Sequence, residues 1–210
     1  MQTTKTMRGL YLVTPDWDDT DKLLQATQQA LTAGVTLLQY RHKTAPADLR
    51  LEQATQLLAL CRKMHVPFII NDHIDLCLAL DADGIHVGGT DASVAVVRTL
   101  LGKEKILGAS CYGDLQMARD AQKAGASYVA FGGFYPSRVK KYEVSTPVDI
   151  VSRAKAELTL PVCVIGGMTP LNAKPLVHAG ADMVAAISSV YVSDDPHNAA
   201  RSFSALFDQC

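Results

Sequence analysis

An α/β chain closed into a single (β/α)8 barrel is the fold that the sequence predicts, and three observations predict it. Eight apolar runs of about four to seven residues recur along the chain, apolar on both faces as strands covered on both sides are. The segments between them repeat their apolar residues at helical spacing. The length of 210 residues holds eight such β/α units and is too short for two average domains. An open doubly wound sheet is the competing arrangement. No Gly-x-Gly-x-x-Gly follows the first run, which removes the commonest nucleotide-binding form of that competitor.

The elements follow in order. Strands are expected at 9–14, 36–41, 67–71, 84–88, 106–111, 128–133, 161–167 and 183–188, within one domain covering 1–210. The first helix, 19–33, places Leu23, Ala26, Ala30 and Leu31 on one stripe, and 47–64 does so with Leu51, Ala54, Leu58 and Cys61. A shorter segment at 74–80 is apolar on most sides, and helices are expected at 94–101, 115–124, 148–158, 171–179 and 198–207. Gly34, Gly125 and Gly180 mark left-handed ends after Ala33, Ala124 and Ala179. Thr169-Pro170 supplies an N-cap and a proline for the first helical position.

Composition narrows the function. Hydrophobic residues make up 48% of the chain and 20 Lys plus Arg face 21 Asp plus Glu, so the formal net charge is -1. That excludes a disordered chain and gives no basic excess for a nucleic-acid backbone. No apolar run approaches the ~18 residues of a membrane span, and no secretory signal pattern is expected at the start. Five widely spaced cysteines, at 61, 77, 111, 163 and 210, fit reduced thiols in a cytoplasmic protein better than a disulfide framework.

A barrel directs attention to the C-terminal ends of its strands. Gln39, Arg41 and Lys43 stand at alternate positions after the second run, so they face one way and suit a phosphate or diphosphate. Asn71-Asp72 ends the third run, and Asp91 follows the fourth. Each Asp suits either a helix cap or, as a pair beside the cations, Mg²⁺ against a diphosphate. His86 faces either into the barrel or out of it. Ser110 ends the fifth run as a small donor, while Cys111 has no base nearby in sequence to activate it. The stretch 132–147 is the longest irregular one and carries Ser137, Arg138, Val139, Lys140 and Lys141, a basic loop suited to folding over substrate. Gly166-Gly167 and Ile187-Ser188 end the last two runs, where many barrels hold a phosphate.

These residues carry a family resemblance. Leu-Tyr-Leu-Val-Thr at 10–14, Gln-Tyr-Arg-His-Lys at 39–43, Ile-Ile-Asn-Asp at 69–72 and Asp-Gly-Ile-His-Val-Gly at 83–88 look like the thiamine phosphate synthase family. So do Gly-Ala-Ser at 108–110, Pro-Ser-x-x-Lys at 136–140, Ile-Gly-Gly-Met at 165–168 and Ile-Ser at 187–188. The match runs in order from about 9 to 190. The resemblance implies a cytoplasmic (β/α)8 transferase that joins a pyrimidine methyl diphosphate to a thiazole phosphate, with one Mg²⁺ per subunit. Oligomeric state is left open, a homo-oligomer included. It further implies that the stretch Gln39, Tyr40, Arg41, His42 and Lys43, with Asn71, Ser110 and Lys140, receives the pyrimidine diphosphate. Arg41, Lys43, Ser110 and Lys140 would act in catalysis, and Asp72 and Asp91 would hold Mg²⁺. Ser137, Arg138, Val139, Gly167, Ile187 and Ser188 would receive the thiazole phosphate. The chain departs from the family pattern at Gly89, where Gln is frequent, and at Val139, which lacks the usual hydroxyl. A thiazole tautomerase and a non-catalytic phosphate-metabolite binding barrel are the alternatives.

Overall fold

Parallel strands that are apolar on both faces need cover inside and outside, and closure into a barrel supplies both. A computed structural model describes residues 7–88, 93–136 and 146–208. Its eight strands are β1 (Gly9–Val13), β2 (Val35–Tyr40), β3 (Phe68–Asn71), β4 (Gly84–Val87), β5 (Ile106–Tyr112), β6 (Tyr128–Gly132), β7 (Val162–Ile165) and β8 (Met183–Ala186). Each pairs in parallel with its sequence neighbours, and β1 pairs with β8 to close the ring. The helices are α1 (Thr20–Leu31), α2 (Ala47–Met64), α3 (Ile74–Ala79), α4 (Val94–Leu101), α5 (Leu115–Lys123), α6 (Asp149–Glu157), α7 (Pro170–His178), α8 (Ser188–Tyr191) and α9 (Pro196–Ser204). No helix among the described residues is long and apolar enough to cross a membrane.

Strand parity sorts the core into two. Leu10, Leu12, Phe68, Ile70, Ile85, Val129 and Val164 face the helices and join their buried stripes. Tyr11, Val13, Leu37, Tyr128, Cys163, Met183 and Ala185 fill the barrel interior as a separate cluster. Burying each such side chain contributes about 1.5–3 kcal/mol, so the two layers together hold the ring.

Helix ends largely follow the sequence signals, while β7 and β8 each stop two residues short of the expected 167 and 188. Thr169 and Asn172 form a reciprocal capping box around Pro170, a device that contributes about 1 kcal/mol. Gly125 and Gly180 adopt φ of +90° and +105°, and the residues after them close back on Ala121 and Leu176. At α2 the left-handed position falls instead to His65, φ +54°, which no glycine announces. The eighth strand stops at Ala186 rather than reaching 188, because Ile187 turns to φ −122°, ψ −90° and Ser188 opens the extra short helix α8. Asp72 is not the cap of α3. His73 occupies that position, and Asp72 precedes it at φ +61°.

Candidate active site

The inward parity of β2 carries Leu37 and Gln39 into the barrel and brings Arg41 to its C-terminal rim. Thr14, just past β1, holds Arg41 by a reciprocal pair. Its hydroxyl donates to the Arg41 carbonyl at 2.9 Å and accepts from the Arg41 N–H at 2.8 Å. Asp16, two residues on, accepts from Arg41 Nη1 with both carboxylate oxygens at 3.2 Å and from the Lys43 N–H at 2.9 Å. The β1 loop thus fixes the Arg41 guanidinium and the backbone of Lys43. Tyr40 and His42, of opposite parity, line a separate cavity of about 190 Å³ that also touches Lys43, Asn71 and Asp72. Tyr40 donates to Gln53 of α2 at 3.0 Å, and His42 Nε2 lies 3.0 Å from Asp18.

Asn71 and Asp72 close the next corner. The Asp72 N–H donates to the His86 carbonyl at 2.9 Å, which extends the β3–β4 ladder by one residue, and Asn71 Nδ2 donates to the Asp72 carboxylate at 2.5 Å. Left-handed backbone costs an ordinary L-residue about 1–2 kcal/mol, less for Asp, and such strain concentrates at functional sites. Gln39, Arg41, Lys43, Asn71, Asp72, His86 and Ser110 together line a cavity of about 150 Å³. Among the described residues no three metal-ligating side chains cluster. Asp91, the partner expected for Asp72, lies outside the described residues, as do Gly89, Ser137, Arg138, Val139, Lys140 and Lys141.

His86 faces inward, which settles its parity. Its Nε2 stands 2.8 Å from Ser110 Oγ and its Nδ1 2.9 Å from Tyr128 Oη. Tyr128 Oη is 2.6 Å from Tyr11 Oη, which accepts from Gln39 Nε2 at 2.6 Å. Burial raises the pKa of both tyrosines well above the ordinary phenol value, so both hydroxyls stay protonated.

Another cavity, of about 230 Å³, lies beside the one of about 150 Å³ and shares Ser110, Tyr112, Ala130, Ile165, Ala185 and Ile187 with it. Its far side is formed by Gly166, Gly167, Met168 and Ser188. Gly167 sits at φ +61° with Pro136 and Tyr135 backbone where a Cβ would stand, so only glycine fits. Asn172 Nδ2 donates to the Gly167 carbonyl at 3.0 Å, and Ser189 Oγ donates to the Met168 carbonyl, tying the β7 and β8 loops together.

Strand alternation along β5 turns Ser110 inward and Cys111 toward the helices. Burial pushes the Cys111 thiol up to about 12 and the Cys77 thiol up to about 11, and it raises those of Cys61 and Cys163 as well. A thiol reagent applied to the native protein at pH 8 is therefore expected to leave these four cysteines unmodified until unfolding exposes them. Fast alkylation of Cys111 in the folded protein would contradict this placement.

A closed barrel with cations, a carboxylate and a glycine-rich rim gathered at one mouth defines a (β/α)8 enzyme with its site at the C-terminal face. A family model, thiamine monophosphate synthase, matches residues 10–190. The chain belongs to this family and is a transferase. It is 69% identical over 201 residues to the thiamine-phosphate synthase of Janthinobacterium sp. (strain Marseille), covering 96% of this chain and 97% of that one. Identity is 47% over 199 residues with the thiamine-phosphate synthase of Nitrosomonas eutropha, covering 95% and 94%. The solved thiamine phosphate pyrophosphorylase from Pyrococcus furiosus superposes with a TM-score of 0.87 at 28% identity, covering 99% of this chain and 98% of that one.

Proposed function

We propose that the protein condenses 4-amino-2-methyl-5-(diphosphooxymethyl)pyrimidine with a thiazole phosphate, the carboxylated thiazole or its tautomer, to give thiamine phosphate and diphosphate, the carboxyl leaving as CO2 and a proton taking its place on the ring carbon. The observation that carries the reading is the pair of adjoining cavities with a common wall. One is lined by cations and a carboxylate, and the other is mainly apolar with a glycine-rich rim. Two anionic substrates seated there would bring their reacting atoms together at the shared wall.

The C–O bond between the exocyclic methylene and diphosphate breaks, and the thiazole nitrogen forms the new C–N bond to that methylene. The aminopyrimidine ring spreads the positive charge left on the methylene, so no nucleophile or general base is required of the chain. What it supplies is stabilisation of a leaving polyanion and exclusion of water. Arg41 and Lys43 are assigned to the diphosphate oxygens, with Lys140 from the β6 loop as the resemblance implies. Gln39 and Ser110 are assigned to the pyrimidine. Gly167, Ile187 and Ser188, together with Ser137, Arg138 and Val139, are assigned to the thiazole phosphate. The Asp72 carboxylate beside Asn71 and the cations suits a hard cation that takes one or two carboxylates and fills its shell with substrate oxygens, so Asp72 and Asp91 would hold Mg²⁺. When bound there, Mg²⁺ neutralises charge on the departing diphosphate.

Equilibrium binding with single variants tests the assignment of the two cavities. Gly167→Ala is expected to weaken thiazole phosphate about tenfold or more, since the added Cβ displaces the loop backbone, and to leave pyrimidine diphosphate unaffected. Loss of both ligands together, or of neither, would count against the two-cavity reading. Asp16→Ala should raise the KM for pyrimidine diphosphate about fivefold with little change in Tm. Its ion pair with Arg41 is one-third exposed on the Asp16 side and worth about 1 kcal/mol. Unchanged KM values would show that Arg41 does not depend on the β1 loop.

A further inference from the structure

We propose that Tyr11, Tyr128 and His86 are positioning residues that form a one-way hydrogen-bond relay through the barrel interior, running from Gln39 to Ser110 and fixing the Ser110 hydroxyl as a donor toward the shared cavity wall.

The direction follows from counting hydrogens. Gln39 Nε2 donates to Tyr11 Oη. Tyr11 is fully buried, and its own hydrogen needs an acceptor, which Tyr128 Oη provides at 2.6 Å. Tyr128 then donates to His86 Nδ1, so the imidazole carries its proton on Nε2 and donates to Ser110 Oγ. The opposite direction would have Tyr128 donate to Tyr11 and would need the Gln39 amide turned so that Oε1 receives the Tyr11 hydrogen, whereas Nε2 faces Tyr11 here. The amide placement selects the first direction. With Ser110 Oγ accepting from His86, the serine hydrogen is available to a substrate acceptor in the cavity.

Gly108 is a second, independent sign that the fold is built around this relay. It lies on β5 two residues before Ser110, and a Cβ there would overlap Tyr128 Cζ and Oη and press on His86 Nδ1. Both rings are held from other sides too. Tyr11 meets Tyr128 edge-on at 5.7 Å between centroids, and His86 stacks on Tyr128 at 5.6 Å. Tyr128, at the centre of the relay, is therefore held tightly in place.

The role of Ser110 toward the pyrimidine rests on the function proposed above, whereas the relay itself does not. The first test is the ¹⁵N signature of His86 in the unliganded protein, assigned by His86→Gln. The expected result is the Nε2–H tautomer with Nδ1 as acceptor, shifting toward a mixture in Tyr128→Phe. An Nδ1–H tautomer in the parent overturns the relay whatever the protein catalyses. The second is a double-mutant cycle on diphosphate release. Tyr128→Phe is expected to lower kcat/KM for pyrimidine diphosphate about tenfold in the parent and by less than about twofold in Ser110→Ala, with the KM for thiazole phosphate unchanged. Equal losses in both backgrounds, as from a general structural effect, overturn the proposal. Tyr11→Phe, which interrupts the relay one step earlier, is expected to give a smaller loss that Ser110→Ala likewise masks, and it serves if Tyr128→Phe fails to fold. A parent that releases no diphosphate refutes the function reading and leaves the tautomer test to decide the relay.

Discussion

Asp72→Ala is expected to lower Mg²⁺-dependent diphosphate release by orders of magnitude while the barrel stays folded. Asp72 is the described carboxylate at the cationic cavity, it points there from the end of β3, and Asn71 orients it. Removing it takes away the one carboxylate that the described residues place on the wall of that cavity. Its left-handed backbone adds a separate stability effect, because alanine at φ +61° costs about 1–2 kcal/mol. Asp72→Asn separates the two effects. Asparagine tolerates the backbone and keeps one oxygen but loses the charge, so Tm should recover and turnover should not. A Mg²⁺ titration in the presence of pyrimidine diphosphate, read by calorimetry, should weaken in both variants. Turnover near that of the parent in Asp72→Ala would remove Asp72 from the metal site.

Arg41→Ala is the second large effect, a loss of about 10²-fold or more in kcat/KM for the pyrimidine diphosphate. Arg41 is buried to 6% exposure, its backbone is locked by Thr14, and one edge of its guanidinium is held by Asp16. A cation preorganised in this way stabilises departing charge without reorganising, which is why its removal costs more than loss of a mobile surface lysine. Arg41→Lys should recover only part of the activity, since an ammonium cannot receive both Asp16 oxygens while also presenting a planar face to diphosphate. Full activity in Arg41→Lys would mean that charge alone matters there. A loss no larger than that of Asp16→Ala would mean that Arg41 does not touch the leaving group.

Much of the fold was legible because strand parity and helical spacing are local properties. The run at 106–111 differs from β5 by one residue, and 47–64 and 94–101 coincide with α2 and α4. The end of β8 was not legible. Ile187 continues the apolar texture, and only its dihedrals reveal the turn into α8. At the candidate site, Gln39, Arg41, Lys43, Asn71 and Ser110, named from position and charge, line one cavity. Parity explains why Tyr40 and His42, inside the same run, lie against α2 and the β1 loop instead. Asp16 escaped notice because its partners are 25 and 27 residues away, although the acidic stretch after Thr14-Pro15 offered a faint signal. Tyr11 and Tyr128 read as core aromatics. Their hydroxyls meet across 117 residues of sequence, a contact that barrel closure alone creates.

The central claim is that one mouth holds both substrates and drives departure of diphosphate. Its most direct test is to mix the purified protein with the pyrimidine diphosphate, the thiazole phosphate and Mg²⁺ and to follow inorganic diphosphate. The expected result is release of diphosphate and thiamine phosphate in equal amounts, lost when either substrate is omitted or the metal is chelated. Isomerisation of the thiazole phosphate without diphosphate release, or binding of both compounds without reaction, would contradict it.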